Sequence, residues 1–182
     1  MKKKILFLSF NDFQGGAAIA SYNMMRSISR KEFNSELFCV VKKREDKNIK
    51  KIKISLLSYI KIILSILISK ILFFLFNSKI KIKRSLCVFN TGILKNINFK
   101  NVDIVHFQWF FNEFISLDEI LSLNKRTVIS LHDLWFCNGT YHYMPKKLNF
   151  FTKKFEDYFL KKKRKKILNS KNVIFTAPSE WC

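Results

Sequence analysis

Short apolar runs alternate with longer amphipathic segments along most of the chain. Apolar runs bounded by polar residues predict buried β-strands, whereas apolar residues spaced three or four apart predict helices. The predicted strands are Ile5–Phe10, Ser35–Val41, Leu86–Phe89, Asp103–Phe107, Thr127–Leu131 and Asn172–Ala177. The predicted helices are Ala17–Arg30, Ser55–Phe76, Ser116–Leu123 and Phe151–Ser170. Strands separated by helices are typical of βαβ units, so we predict a single α/β domain over residues 1–182, with a Rossmann-like parallel sheet and helices on both faces.

The carboxyl ends of the predicted strands carry most of the residues that could do chemistry. In open parallel sheets, ligands bind in the crevice outside these ends. The segments at these ends are Asn11–Gly16, His106–Trp109, His132–Trp135 and Pro178–Trp181. We therefore predict that the functional site lies at this edge of the sheet.

The longest apolar segment, Ser55–Phe76, is about long enough to span a bilayer. Ser58, Lys61, Ser65 and Ser69 recur in it three or four residues apart, which places them on one side of a helix. An ordered polar stripe favours an amphipathic helix over a membrane-spanning one. Three alternatives stay open, namely a helix packed on the sheet, a helix lying in a membrane interface and a transmembrane helix.

The charge balance is strongly basic, with 34 Lys+Arg against 13 Asp+Glu and a net charge of +21. This excess fits nucleic acid, an anionic membrane surface or anionic substrates, and it also fits a general bias toward Lys, Ile, Asn and Phe. The basic segments lack interleaved aromatic residues and no recognition motif is present, so we predict no nucleic-acid partner. Lys42–Lys53, interpreted as a solvated loop, and Lys79–Arg84 flank the long helix and favour contact with anionic lipid.

The cysteines and the N-terminal residues indicate the cellular compartment of the protein. Cys39, Cys87, Cys137 and Cys182 are far apart and form no Cys-x-x-Cys pair, which argues against zinc and redox motifs and indicates reduced thiols. The apolar run near the N-terminus is only about six residues long, shorter than the roughly 7–15 residues of a signal-peptide core. We predict a cytoplasmic protein, either free or peripheral on the inner face of the plasma membrane.

Two histidines lie near the predicted strand ends. His132 directly follows a strand and could act as a general base or bind a substrate hydroxyl. Asp133 could fix the tautomer of His132 only if the two side chains meet. His106 lies inside a strand, and we expect it to be buried and hydrogen-bonded. The three histidines of the chain have no carboxylate at ligand spacing, so we predict no metal site.

Gly15 and Gly16 lie between the first strand and the first helix. Glycines at this position let the backbone approach a ligand, and the N-terminus of the following helix provides free N–H groups for a phosphate. A Gly-Gly turn before a helix is often only a turn. The pair lacks the third glycine of the dinucleotide-binding fingerprint.

An aromatic group lies near the same edge of the sheet. It consists of Trp109, Trp135, Tyr141 and Tyr143, and His142 lies between the two tyrosines. Aromatic faces suit the apolar C–H faces of sugar rings, although the same residues are equally compatible with core packing. The chain has no Gly-x-Ser-x-Gly motif and no phosphate-binding Walker loop.

These motifs resemble the N-terminal domain of family 4 glycosyltransferases, which have the GT-B fold. The matching series is DIVHFQW, SLDEI, LHDLW, HY and TAPSEW, together with the opening loop NDFQGGAAIASYNMMRSI. The likeness is closest to enzymes that assemble bacterial exopolysaccharides and surface polysaccharides, of the colanic-acid type. It covers residues 4–182 and is most specific at 11–25 and 103–143.

The resemblance implies a retaining, metal-independent transfer of a sugar from a nucleotide-sugar donor to a lipid-linked or saccharide acceptor. The nucleotide-sugar is a substrate, and no cofactor is implied. Gly15 and Gly16 would approach the donor phosphate, and His132 and Asp133 would be the catalytic residues of the cleft. The acceptor sugar would contact Trp109, Trp135, His142 and Tyr143.

The chain also departs from the family pattern. A second histidine that relatives often carry is Gln108 here, and a cysteine that often precedes His-Tyr is Tyr141. The stretch that follows is shortened to Met144–Phe150, and the chain ends at Cys182, before the donor-binding domain of such enzymes. Three interpretations stay open: an N-terminal or truncated form that is inactive alone, an acceptor-binding subunit with a separate donor-domain partner, and a non-catalytic, basic, membrane-associated module.

Overall fold

The computed structural model describes residues 2–29, 33–77 and 82–177. Within these residues, six strands form one sheet: β1 (Lys4–Asn11), β2 (Asn34–Val41), β3 (Ile49–Lys51), β4 (Ile104–Phe107), β5 (Arg126–Ser130) and β6 (Val173–Thr176). The helices are α1 (Gly16–Ser29), α2 (Leu56–Asn77), α3 (Leu117–Leu121) and α4 (Phe150–Leu168), with a short 3-10 helix at Ile93–Asn96. The predicted Arg30 end of the first helix lies outside the described residues.

All neighbouring strands of the sheet run parallel, in the order β3-β2-β1-β4-β5-β6. This is the strand order of the Rossmann fold, so the predicted α/β class and the parallel Rossmann-like sheet are confirmed. The chain leaves β1 toward one side of the sheet and later returns to place β4 on the other side. A crevice therefore opens between the loops that follow β1 and β4.

Two apolar layers cover the two faces of the sheet. Because successive side chains of a strand point to opposite faces, Phe7 packs in one layer and Leu6 and Leu8 pack in the other. The smaller layer includes Met25 of α1, and the larger includes Ile62 of α2 together with side chains of α3. Helices on both faces, as predicted, shield the sheet from water.

Two predictions of local structure are wrong. Lys42–Lys53 is not simply a solvated loop, because it contains β3, and Ile49 and Ile52 are buried between the lysines that suggested exposure. Leu86–Phe89 is not a strand, because the amides of Leu86 and Cys87 donate to the carboxylate of Glu113, at 2.6 and 2.8 Å, rather than to a neighbouring strand.

The third helix begins with a capping box formed by its own side chains. The Ser116 hydroxyl accepts the Glu119 amide at 3.1 Å, and the Glu119 carboxylate accepts the Ser116 amide at 3.0 Å, which is a capping box. The same carboxylate also accepts the amides of Thr91 and Gly92, at 3.1 and 2.6 Å. The buried Glu119 carboxylate thus accepts the backbone amide that precedes α3. It also binds the backbone of the irregular segment before the 3-10 helix.

Candidate functional site

A cavity of about 520 Å³ opens at the carboxyl edge of the sheet, where the loops after β1, β4 and β5 meet. Its volume is in the range of small-molecule binding sites. It lies at the predicted crevice, on both sides of the point where the strand order reverses. The lining residues are Ser9, Phe10, Asn11, Gln14, Gly15, Gly16, Ala17, Ala18, Lys83, Trp109, Asn112, His132, Asp133, His142 and Tyr143.

The loop after β1 presents backbone amides to this cavity. Asn11 Oδ1 accepts the amides of Phe13 and Gln14, at 3.1 and 2.8 Å, which closes a tight turn. Gly15 has a φ of +89°, a conformation that favours glycine, and Gly16 begins α1. A Cβ at Gly16 would meet no protein atom within 4 Å, so nothing in the packing requires glycine there. The helix N-terminus is therefore open toward the cavity.

His132 lies just past β5 and is half-buried at the cavity wall. Its Nε2 lies 2.6 Å from Gln108 Oε1, which can only accept, so Nε2 carries the proton. Burial lowers the pKa of His132, and the charge of Asp133 offsets only part of the shift. At neutral pH His132 is therefore an uncharged imidazole, and the described residues provide no hydrogen-bond partner for its Nδ1 lone pair.

Behind His132, a chain of polar groups runs into the sheet. Gln108 Nε2 donates to His106 Nε2 at 3.0 Å, and the Ser130 hydroxyl lies 2.8 Å from the same nitrogen. His106 is buried and hydrogen-bonded, as predicted, and burial together with nearby His132 lowers its pKa to about 4. This chain orients the Gln108 amide and, through it, the ring of His132.

Asp133 does not pair with His132, although the two are adjacent in sequence. Its carboxylate accepts from His142 Nδ1 at 2.7 Å, from Trp109 Nε1 at 3.1 Å and from the Trp135 amide at 3.0 Å. Burial alone would raise the pKa of Asp133, but the hydrogen bond and charge of His142, with those two donors, hold it below its ordinary value. Asp133 is thus an ionised anchor that positions two cavity-wall side chains, His142 and Trp109, and the backbone of Trp135.

Some residues of the aromatic group line the cavity, whereas others are buried in the core. Trp109 is half-buried and Tyr143 is exposed, and both line the cavity. His142 also lines it, but both ring nitrogens are occupied, Nδ1 by Asp133 and Nε2 by the Ser85 hydroxyl at 2.9 Å. His142 therefore offers a ring surface to a ligand rather than a free nitrogen.

The prediction that Trp135 contacts a sugar is wrong for this structure. Trp135 is fully buried, its Nε1 donates to the Ser85 carbonyl at 2.7 Å, and it does not line the cavity. The reason is the turn at Asp133, whose carboxylate accepts the Trp135 amide and directs the chain back into the core. Tyr141 of the same aromatic group is buried as well.

Lys83 is a cavity residue that sequence reasoning missed. Its Nζ lies 3.9 Å from the centre of the Trp109 ring. Burial lowers the pKa of Lys83, and the charge of Asp133 counteracts part of that effect. In the sequence, Lys83 looked like one more residue of a basic flank. Gln108 was noticed only as a departure from the family pattern, and Asn112 gave no signal.

The next residue, Arg84, joins the cavity wall to the helices. Its guanidinium donates to Glu156 Oε1 at 2.7 Å and to Thr140 Oγ1 at 3.0 Å. It also lies over the rings of Phe73 and Tyr141, 4.2 and 4.5 Å from their centres. One buried cation therefore links α2, α4 and the loop that ends at the cavity.

Among the described residues, no group of three or more His, Cys, Asp or Glu side chains is arranged to hold a metal ion. Cys39 and Cys87 are buried free thiols, and burial raises the pKa of Cys39 to about 12. Cys137 is exposed. The predicted contribution of Pro178–Trp181 to the sheet edge lies outside the described residues.

Comparison with family models, with curated proteins and with solved structures found no match to this chain. The resemblance to glycosyltransferases drawn from the sequence motifs therefore stays a prediction. The fold and the cavity are observations of this chain alone, and a function for it has to be argued from them.

Proposed function

We propose that this chain is the acceptor-side domain of a sugar-transferring enzyme. It would act with a nucleotide-sugar-binding domain in retaining, metal-independent transfer to a lipid-linked or saccharide acceptor. The observation that carries the proposal is the makeup of one cavity at the carboxyl edge of the sheet. There, a neutral histidine, open helix amides, a lysine and aromatic faces surround a volume of small-ligand size.

A sugar has apolar C–H faces and polar hydroxyls, and the cavity offers a counterpart to each. Trp109 and Tyr143 provide aromatic faces on which a sugar ring can stack. His132 Nδ1 can accept a hydrogen bond from a sugar hydroxyl, and Asn112 offers both a donor and an acceptor. These side chains support an acceptor site on this domain.

A nucleotide-sugar also carries negative charge, and other residues of the same cavity are suited to it. The Gly15–Gly16 backbone leaves the first amides of α1 accessible, and a helix N-terminus attracts phosphate oxygens. Lys83 adds a positive charge at the same cavity. Most of the donor would be held by a second domain or chain that faces this edge, because transfer requires both substrates to be oriented across a closed cleft.

The role proposed for His132 is proton transfer or hydrogen bonding at the acceptor hydroxyl. Its Nε2–H is committed to Gln108, and this leaves Nδ1 as the basic atom. In an enzyme reconstituted with its donor-binding domain, His132→Ala should lower turnover at least about a hundredfold, the scale of lost acid–base assistance. The measurement is the initial rate of sugar transfer under saturating donor.

The matched control is Lys146→Ala, an exposed change outside the cavity, which should leave the rate unchanged. Rates near wild type for His132→Ala would remove His132 from the reaction. Saccharide titration of the chain alone, followed by isothermal titration calorimetry, tests acceptor binding separately. Binding lost in Trp109→Ala supports the acceptor site, whereas no binding of any saccharide or nucleotide-sugar contradicts the proposal.

A further inference from the structure

Helix α2 packs on the protein with its polar side. Ser58, Ser65 and Ser69 are each less than 5% exposed and, with Ile62, form the inner face of the helix. Ser65 Oγ donates to the Lys61 carbonyl at 2.7 Å, so this hydroxyl is satisfied within the helix. The serine stripe seen in the sequence is therefore an inner face, opposite to the usual arrangement of a surface helix.

The outer face of α2 is apolar along its whole length. Eleven large apolar side chains between Leu56 and Leu75 are exposed, among them Leu64 at 51% and Phe74 at 71%. The segment Leu56–Phe76 is long and apolar enough to cross a membrane. Soluble monomers rarely expose a contiguous apolar surface of this extent, and such a surface usually marks a site of interaction with a protein or a membrane.

The apolar face continues onto α4. Thr152 Oγ1 donates to the carbonyl of Phe76, and the Phe76 and Phe155 rings stack with centres 4.5 Å apart. Phe150 and Phe151, at the start of α4, are both exposed close to this contact. The end of α2 and the start of α4 thus share one apolar surface.

Positive charge borders this surface, and negative charge is missing from its surroundings in the sequence. Lys61 and Lys70 are exposed and nine residues apart, which at about 100° per residue puts them on opposite edges of the apolar face. No Asp or Glu occurs between Asp46 and Asp103. An apolar stripe edged by lysines is complementary to acyl chains beneath anionic headgroups.

The packing of α2 decides between lying on a bilayer and crossing it. Ile62 belongs to the main apolar core, and the three serines are covered by protein, so only one side of the helix is available to lipid. A helix that crosses a bilayer alone would have to leave this contact. One-sided exposure fits a helix that lies in the interface plane.

We propose that α2 docks this protein on an anionic phospholipid bilayer, with Leu64, Leu67, Ile71 and Phe74 among the acyl chains and Lys61 and Lys70 at the level of the headgroups. The proposal is independent of the proposed sugar transfer, because it rests on no residue of the cavity.

The test is co-sedimentation of the full chain with phosphatidylglycerol-containing vesicles and with pure phosphatidylcholine vesicles, over a range of salt concentrations. Wild type should bind the anionic vesicles, and Leu64→Glu/Ile71→Glu should weaken that binding at least about tenfold, because two charges would have to enter the apolar region. Ile174→Glu, the same chemical change at an exposed residue of β6, should bind as wild type does. Circular dichroism checks that each variant is folded.

A second variant separates insertion from charge attraction. Lys61→Gln/Lys70→Gln should weaken binding to anionic vesicles about fivefold or more for each lysine removed and should flatten the salt dependence. Three results would overturn the proposal: no binding of wild type at low salt, binding that Leu64→Glu/Ile71→Glu leaves unchanged, or bound protein that resists alkaline carbonate extraction, as a membrane-spanning helix does.

A second copy of this chain is the competing occupant of the face. Analytical ultracentrifugation in lipid-free buffer distinguishes it. A stable dimer that Leu64→Glu/Ile71→Glu converts to monomer, together with absence of vesicle binding, would assign the face to self-association and overturn the lipid proposal.

Discussion

Helices α1 and α2 cover opposite faces of the same sheet but have opposite polarity. α1 buries Met25 in the smaller apolar layer and turns Asn23 and Arg26 to solvent. α2 buries serines and exposes a continuous apolar face. Both helices pack on the protein, yet the outer face of α2 is not matched to water.

The difference shows that amphipathic character and orientation are separate properties. An apolar stripe is usually buried because burial removes it from water. In α2 the stripe stays outside, and small serine side chains allow close packing inside. The Ser65 hydroxyl donates to a carbonyl of its own helix, and the Ser58 hydroxyl accepts from Ser55. This arrangement makes sense when the outer environment is itself apolar, and the following predictions test the contrast.

The largest effect is expected inside the α1 layer. Met25→Ala should lower the free energy of unfolding by about 2–5 kcal/mol, because Met25 is fully buried and the truncation leaves a cavity. Met24→Ala, the same change at the adjacent exposed residue, should cost less than Met25→Ala, because it leaves no core cavity and removes only a weak contact from Gln108 Nε2 to Met24 Sδ. Urea denaturation measures both, and equal effects of the two substitutions would contradict the observed orientation of α1.

The two faces should also differ in their response to pH. His106 lies on the α1 side, 5.0 Å from the Phe7 ring, and its pKa is lowered to about 4 from an ordinary 6.5. Between these values the unfolded chain binds a proton that the folded chain does not. The contribution of His106 to stability should therefore be complete above pH 6.5 and should fall by up to about 3 kcal/mol as the pH drops toward 4.

This pH dependence has a control on the other face. His106→Asn should flatten the dependence of unfolding free energy on pH, although His132, whose pKa burial also lowers, keeps part of it. Ser65→Ala on the α2 side removes no titratable group and should keep the wild-type slope. If His106→Asn retained the full wild-type slope, His106 would not be the group responsible.

A smaller effect on the free energy of unfolding is expected from placing an apolar residue on the inner face of α2 or a polar residue on its outer face. Ser65→Leu places a larger side chain in a packed contact and should cost about 1–3 kcal/mol. Leu64→Ser, on the outer face, should change stability by only about 0.5 kcal/mol in lipid-free buffer. If Ser65→Leu proved stabilising and Leu64→Ser costly, the apolar side of α2 would face inward, contrary to the structure.

Much of the fold could be predicted because it depends on local pattern. The apolar runs at Ile5–Phe10 and Asp103–Phe107 predicted β1 and β4 from sequence alone, and the Ser116–Glu119 cap needs only the spacing of two residues. The short strand β3 was missed because its lysines dominate the composition of the segment. Its isoleucines nonetheless become buried against β2.

The candidate site was predicted in place but not in detail. Strand ends located the cavity, since parallel strands end at one edge. The partner of Asp133 could not be foreseen, because His142 reaches it only after the loop from Leu134 to Tyr141 turns back. Likewise, the serine stripe of α2 was visible in the sequence, but which side faced the protein depended on contacts with distant residues.

The position of Arg84 has a geometric consequence for a protein resting on a surface. Its guanidinium connects Phe73 of α2 to Tyr141, next to the cavity-wall residue His142, and Lys83 beside it lies over Trp109. Among the described residues, a series of side-chain contacts therefore connects α2 to the cavity wall. If α2 lies on a bilayer as proposed, these contacts would keep the mouth of the cavity at a fixed distance from the lipid headgroups. That distance would then determine which membrane-anchored ligands can reach the cavity.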